Sequence, residues 1–171
     1  EIGLGIPAEP LFRSDSVMTL IVGYAHSGKT VVTTQIILNA RDRRIVLFTP
    51  DETRVLVTIK LCSIIHGISA EELERRVGMA DPEAEQLVRE TASKHFPLLA
   101  VFDESLSLSA MDTALDECEE WWGGPADAVI YDYVELLEGT ETVGKINALK
   151  AWGRKRDVPL FALHQSSRTK G

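Results

Sequence analysis

Cysteine, long apolar runs and basic charge are all in short supply in this 171-residue sequence. Only Cys62 and Cys118 occur, with no metal-ligand spacing around either, which excludes a disulfide scaffold and a cysteine-rich zinc site. Both are expected to be reduced thiols on helices. No apolar run approaches the roughly 20 residues needed to cross a bilayer, so no membrane partner is expected. The opening Glu1-Ile2-Gly3-Leu4 has neither a basic leader nor a small-residue cleavage site, and a cytoplasmic protein is the expectation. A net charge of −8 argues against a surface built wholly to neutralise phosphates. Its distribution is uneven, however. From Val143 onward Lys145, Lys150, Arg154, Lys155, Arg156, Arg168 and Lys170 face a single acid, Asp157. A basic patch for nucleic acid and a solvated helix face are both open readings of that segment.

With 44% hydrophobic residues, the chain can fill one ordinary core and is too short for two. A single domain over residues 1–171 is expected, with residues 1–16 as an N-terminal extension. Short apolar runs alternate with helical patterns along it. Met18 to Val22 (MTLIV), Ile45 to Phe48 (IVLF), Leu98 to Phe102 (LLAVF), Ala128 to Tyr131 (AVIY) and Leu160 to Leu163 (LFAL) read as buried strands. Between them lie a helix after Lys29 with its polar side at Thr33, Thr34 and Asn39, and a helix from Val55 to His66 stopped by Gly67. Ser69 three residues before Glu72 opens a short helix to about Val77, and Asp81-Pro82 opens another to about Lys94. Ser109 to Trp122 and Ile146 to Arg156 complete the set. This order predicts an α/β fold, a mostly parallel sheet with helices on both faces.

The chemistry is concentrated at strand ends. Gly23-Tyr24-Ala25-His26-Ser27-Gly28-Lys29-Thr30 fits G-x-x-x-x-G-K-[ST], lies between a strand and a helix, and would arise by chance in roughly one chain of this length per hundred. Gly23 and Gly28 let the backbone, Ser27 included, wrap an anion with its N–H groups turned inward, at the positive end of the following helix. Lys29 can then reach the β- and γ-phosphates of a nucleotide and the Thr30 hydroxyl can ligate Mg2+. ATP with magnesium is the expected ligand.

Asp132 ends an apolar strand, where a second magnesium-organising carboxylate belongs; Asp103 and Glu104 end another and compete for that role. Asp51 and Glu52 follow the second strand, where a carboxylate can orient or deprotonate an attacking water, although acids there also suit a helix N-terminus. Spacing leaves open which of the two does so. His164, Gln165 and Arg168 follow the last strand at the same sheet edge. Gln165 is placed to sense a γ-phosphate, His164 is a weaker candidate, and Arg168 could touch the phosphate of nucleotide or DNA. His26, His66 and His95 read as structural, and Trp121-Trp122 as core or crevice packing rather than a base-stacking pair.

Taken in order, these segments resemble the RecA-like ATPase core of DnaB-type replicative helicases. The resemblance rests on Gly23 to Thr30, Phe48-Thr49-Pro50-Asp51-Glu52, Leu99 to Glu104, Asp132-Tyr133-Val134-Glu135-Leu136, Leu149-Lys150-Ala151-Trp152 and Val158-Pro159 through His164-Gln165. It covers residues 17 to 168. It implies a RecA-like P-loop fold, Asp132 as the magnesium-organising acid, Gln165 as the γ-phosphate sensor, and Asp51 or Glu52 as the catalytic carboxylate. Direct registration puts Asp51 where the family has its single glutamate, and Asp is shorter by a methylene. The resemblance also implies single-stranded or branched DNA as partner and a homo-oligomer, with a hexameric ring among its forms. Two departures stand out: the segment where the family has its first DNA-contacting loop, Glu138 to Gly144, is short, and the second loop and the trans-acting arginine are expected beyond Gly171. No amino-terminal primase-interacting domain is expected, which resembles phage-encoded or recombination-associated relatives, the former acting in a host cytoplasm.

The expected activity is a DNA-dependent ATPase with helicase function. A RecA- or RadA-like recombination ATPase, a nuclease on branched DNA with Asp51, Glu52 and Asp132 around a metal, and a regulatory nucleotide-binding module without DNA contact are the alternatives.

Overall fold

The computed structural model describes residues 17–24, 28–104, 107–139 and 141–166, with the backbone alone for Lys29 and Thr30. The elements follow the chain as β1 (Met18–Tyr24), α1 (Lys29–Asn39), β2 (Ile45–Phe48), α2 (Arg54–His66), α3 (Ala70–Gly78), α4 (Pro82–His95), β3 (Leu99–Phe102), α5 (Leu108–Trp122), β4 (Ala128–Asp132), a 3-10 turn at Val134–Leu136, α6 (Thr142–Arg156) and β5 (Leu160–Ser166). Helix starts obey local chemistry. Thr53, Ser69, Asp81 and Ser107 each accept a hydrogen bond from a first-turn N–H of the helix they precede. Gly67 and Gly123 end α2 and α5 at φ +66°, which a side chain would strain.

All five strands run parallel in the order β1-β5-β4-β2-β3. Successive side chains point to opposite faces, so each central strand feeds two cores. Val46, Phe48, Val129 and Tyr131 pack with Met111 and Leu115 of α5 and Leu149 and Trp152 of α6. Ile45, Leu47, Ala128 and Ile130 pack on the other face with Ile36 and Ile37 of α1 and Val57 and Leu61 of α2. Truncating a fully buried leucine such as Leu115 to alanine costs about 2–5 kcal/mol in such an environment. This is the RecA-like α/β architecture expected, with helices on both faces. Both cysteines are free and buried, and burial pushes the Cys118 thiol up to about 11.

Several sequence readings need correction. The strand at Met18 is not buried. It lies at the sheet edge, with Leu20 and Val22 exposed, because β5 inserts between it and β4. Gly23 and Tyr24 belong to β1, and His164 and Gln165 lie within β5, extended by pairing with Val22 and Gly23. Helix α6 begins at Thr142, so the last three of the seven residues from Glu138 to Gly144 are helical. Gly144 and the lack of a side-chain cap hid that start. Trp121 is 71% exposed rather than packed, at the end of α5 and away from the carboxyl edge of the sheet. The basic tail of α6 is largely spoken for: Arg156 pairs with Asp116 at 2.6 Å and Glu119 at 3.1 Å, and Lys155 with Asp112 at 3.7 Å. Lys150 and Arg154 remain exposed. Among the described residues no helix is long and apolar enough to cross a membrane.

Candidate active site

Parallel strands deliver all their carboxyl ends to one edge, and the strand order decides which ends are neighbours. The β1 end, where the glycine-rich segment leaves the sheet, lies beside β5, and β5 lies beside β4. Gly23 pairs with Gln165, and Asp132 pairs with Leu163. The edge therefore presents, side by side, the phosphate-loop strand, the strand carrying His164 and Gln165, and the strand ending in Asp132.

Gly28 precedes α1 at φ +86°, a conformation a side chain would strain, and its carbonyl accepts from Val32 N at 3.1 Å. No side chain among the described residues caps α1. Gly28 itself offers the first N–H groups no side-chain acceptor, a condition that favours an anion there. Ser27, the Lys29 and Thr30 side chains, and Arg168 lie outside the described residues.

On the β4 side, Thr33 Oγ1 donates to Asp132 Oδ2 at 3.5 Å. The two line a small crevice of about 10 Å³ together with Thr49, Glu52 and Lys60. Glu52 is ion-paired with Lys60 Nζ, while Asp51 is exposed. The Tyr133 phenol is held above its usual range, first by burial and then by the charges of Asp51, Glu135 and Asp132. Among the described residues, however, no group of three or more acidic, histidine or cysteine side chains could hold a metal, so Asp51, Glu52 and Asp132 do not converge on one. One half-buried carboxylate flanked by hydroxyls instead fits magnesium, which takes oxygen ligands, keeps waters and needs few carboxylates when phosphates complete its shell.

On the β5 side, Glu135 reaches back from the 3-10 turn. Its Oε1 accepts from the Gln165 backbone N–H at 3.0 Å and from His164 Nδ1. Its backbone carbonyl accepts from Lys145 Nζ at 2.7 Å.

Asp103, the rival strand-ending acid, has another occupation. Its carboxylate accepts from Arg54 N at 2.9 Å and pairs with Arg54 Nε at 3.6 Å. The backbone hydrogen bond from Arg54 holds its carboxyl below the usual aspartate range.

Thr33, Lys60 and Glu135 escape sequence reasoning as site residues. Residue type puts Thr33 on the polar side of its helix, yet it is 4% exposed. Its phase gives it away, since 33, 36 and 37, continued by Ala40 at the C-cap, form the buried stripe of α1. Glu135 is visible only as the polar position of Asp-Tyr-Val-Glu-Leu, and Lys60 carries no local signal.

A parallel α/β sheet with a glycine-started helix and an acid-ended strand at its carboxyl edge defines a P-loop nucleotide-binding domain. More narrowly, the family of DnaB-like helicase C-terminal domains matches residues 13–171, and the chain belongs to that family. No curated protein sequence matches. Among solved structures, one described as a DnaB-like replicative helicase and its interactions with primase superposes with a TM-score of 0.70 at 20% identity, covering 90% of this chain and 40% of that one. A second, described as an ATPase domain, matches with a TM-score of 0.70 at 20% identity, covering 91% of this chain and 59% of that one. The chain thus spans less than two thirds of either, and at such identity the likeness concerns the fold.

Proposed function

We propose that this chain is the motor core of a DNA helicase, a DNA-dependent ATPase that couples Mg-ATP hydrolysis to translocation on, or unwinding of, single-stranded or branched DNA. The carrying observation is the neighbourhood of strand ends: Gly23, Gln165 and Asp132 stand on three adjacent strands of a sheet whose family is that of helicase ATPase domains.

In this reading Gly23, Ser27 and Gly28 cradle the phosphates, and Lys29 neutralises charge that develops on them during in-line attack by water. Thr30 and Asp132 hold magnesium, which supplies charge neutralisation to the phosphates when bound. Glu52 orients the attacking water, because it shares the crevice with Asp132 whereas Asp51 is exposed on the rim. Lys60 positions Glu52. A loose transition state asks more for placement than for basicity, so pairing with Lys60 is compatible with that role. Gln165 reads the γ-phosphate, with His164 beside it, and Arg168 contacts phosphate. The chain works as a homo-oligomer, a hexameric ring, in which a neighbouring subunit lends the arginine that completes each site, and it acts in the cytoplasm.

The test pairs ATPase rates without DNA and with single-stranded, duplex and forked DNA with the mass of the assembly in solution. Turnover should rise with single-stranded or forked DNA and with assembly. A rate indifferent to both would overturn the reading. DNA-stimulated hydrolysis without strand displacement would place the chain with the recombination ATPases instead.

A further inference from the structure

Strand β5 outlasts its neighbour. Its pairing with β1 continues to Ser166, whereas its pairing with β4 ends at Leu163 opposite Asp132. Beyond that point the β4 side of β5 has no strand to accept its backbone N–H groups, and an unanswered backbone donor is costly. Glu135 fills the gap. It stands three residues after Asp132 on the turn that leaves β4, and its Oε1 accepts from Gln165 N at 3.0 Å and from His164 Nδ1. The turn itself is tied to α6 through Lys145. The other oxygen, Oε2, is buried and has no hydrogen-bond partner among the described residues. Fold economy alone argues against a carboxylate there, since a buried, half-satisfied charge is unfavourable.

We propose that Glu135 is the positioning residue for the γ-phosphate-reading end of β5: it substitutes for the missing strand, fixes the backbone of Gln165 and the ring of His164, and joins their placement to the turn that follows Asp132. This rests on the reading of Gln165 as the group that distinguishes ATP from ADP. Side-chain direction in a strand follows from the backbone, so a frayed β5 end would swing Gln165 away from the phosphate while leaving the nucleotide's other contacts intact. Lost discrimination with retained ADP affinity is the signature that a merely structural residue would not give.

The experiment measures equilibrium affinities of the assembled protein for ADP and for the slowly hydrolysed analogue ATPγS, in wild type, Glu135→Ala, Glu135→Asp, Glu135→Gln and Gln165→Ala. Glu135→Ala should lower the preference for ATPγS over ADP by about fivefold, the worth of roughly one hydrogen bond, with ADP affinity unchanged. Glu135→Asp, one methylene short, should do the same, and decides the matter if the alanine variant does not fold. Glu135→Gln keeps an acceptor oxygen at the same reach and should restore the preference. If Gln165→Ala abolishes the preference while Glu135→Ala and Glu135→Asp keep it, the positioning role is wrong and the reading of Gln165 stands. If Gln165→Ala keeps the preference, the reading of Gln165 falls and the positioning role falls with it.

Discussion

The ends of β3 and β4 begin alike and finish differently. Each is a short apolar strand running into aspartate, and the two strands are separated in the sheet only by β2. Asp103, after β3, accepts the backbone N–H of Arg54 and steadies the start of α2. Asp132, after β4, meets the Thr33 hydroxyl in the crevice that also holds Glu52 and Lys60. The difference is one of neighbours. The β3 end lies at the sheet margin and sees a helix start, whereas the β4 end lies next to β5, which in turn pairs with the strand that leads into the glycine-rich segment. A strand-ending carboxylate is thus a general-purpose anion whose use is set by what the sheet order places beside it.

Substitutions at the two ends should separate these uses. The largest effect is expected from Asp132→Ala, which should lower the steady-state ATPase rate by about a hundredfold or more while moving stability to urea by less than about 1 kcal/mol. If hydrolysis survived, the β4 end would be no different in kind from the β3 end. Next, Glu52→Gln should reduce turnover by about tenfold and Asp51→Asn by less than about threefold, measured in the same assay. The reverse order would move the water-orienting role from the crevice to the exposed rim.

The smallest effect belongs to Asp103→Asn, which should keep turnover near wild type and cost about 1 kcal/mol of stability at neutral pH. The Asp103 carboxyl is held below its ordinary range in the folded chain, so the unfolded chain takes up the proton first. Its contribution is fully present above the ordinary aspartate pKa and fades as pH falls through the lowered folded value. Urea unfolding across that acid window should therefore show a shallower pH dependence in Asp103→Asn than in wild type. An unchanged slope would remove the carboxylate from the start of α2.

Much of the fold was legible because local chemistry and long-range packing agree here. Ser69, Asp81-Pro82 and Gly67 mark helix ends by hydrogen bonding and backbone freedom that involve only near neighbours, and the alternation of apolar runs with helical patterns implies a parallel sheet. The site was legible to the extent that it is built from contiguous residues. Gly23 to Thr30 form such a stretch, and Asp132 and Gln165 stand at recognisable strand ends. Thr33 misleads because a threonine reads as polar until a facing carboxylate accounts for its burial. Lys60 and Glu135 act across 8 and 29 residues of sequence, on Glu52 and His164, and neither distance leaves a periodic trace.

The sequence by itself determined most of the elements, the parallel α/β class and the place of the glycine-rich segment between the first strand and helix, since these follow from residue type and spacing within single stretches of chain. Only the tertiary structure decided that β5 would lie between β1 and β4. That order leaves β1 at the edge, makes Gln165 the neighbour of Gly23, sends Asp103 to a helix start and Asp132 to the crevice, and gives Glu135 a strand end to complete. The physical reason is that strand order is settled by how both faces of the sheet are covered, through contacts between residues far apart along the chain.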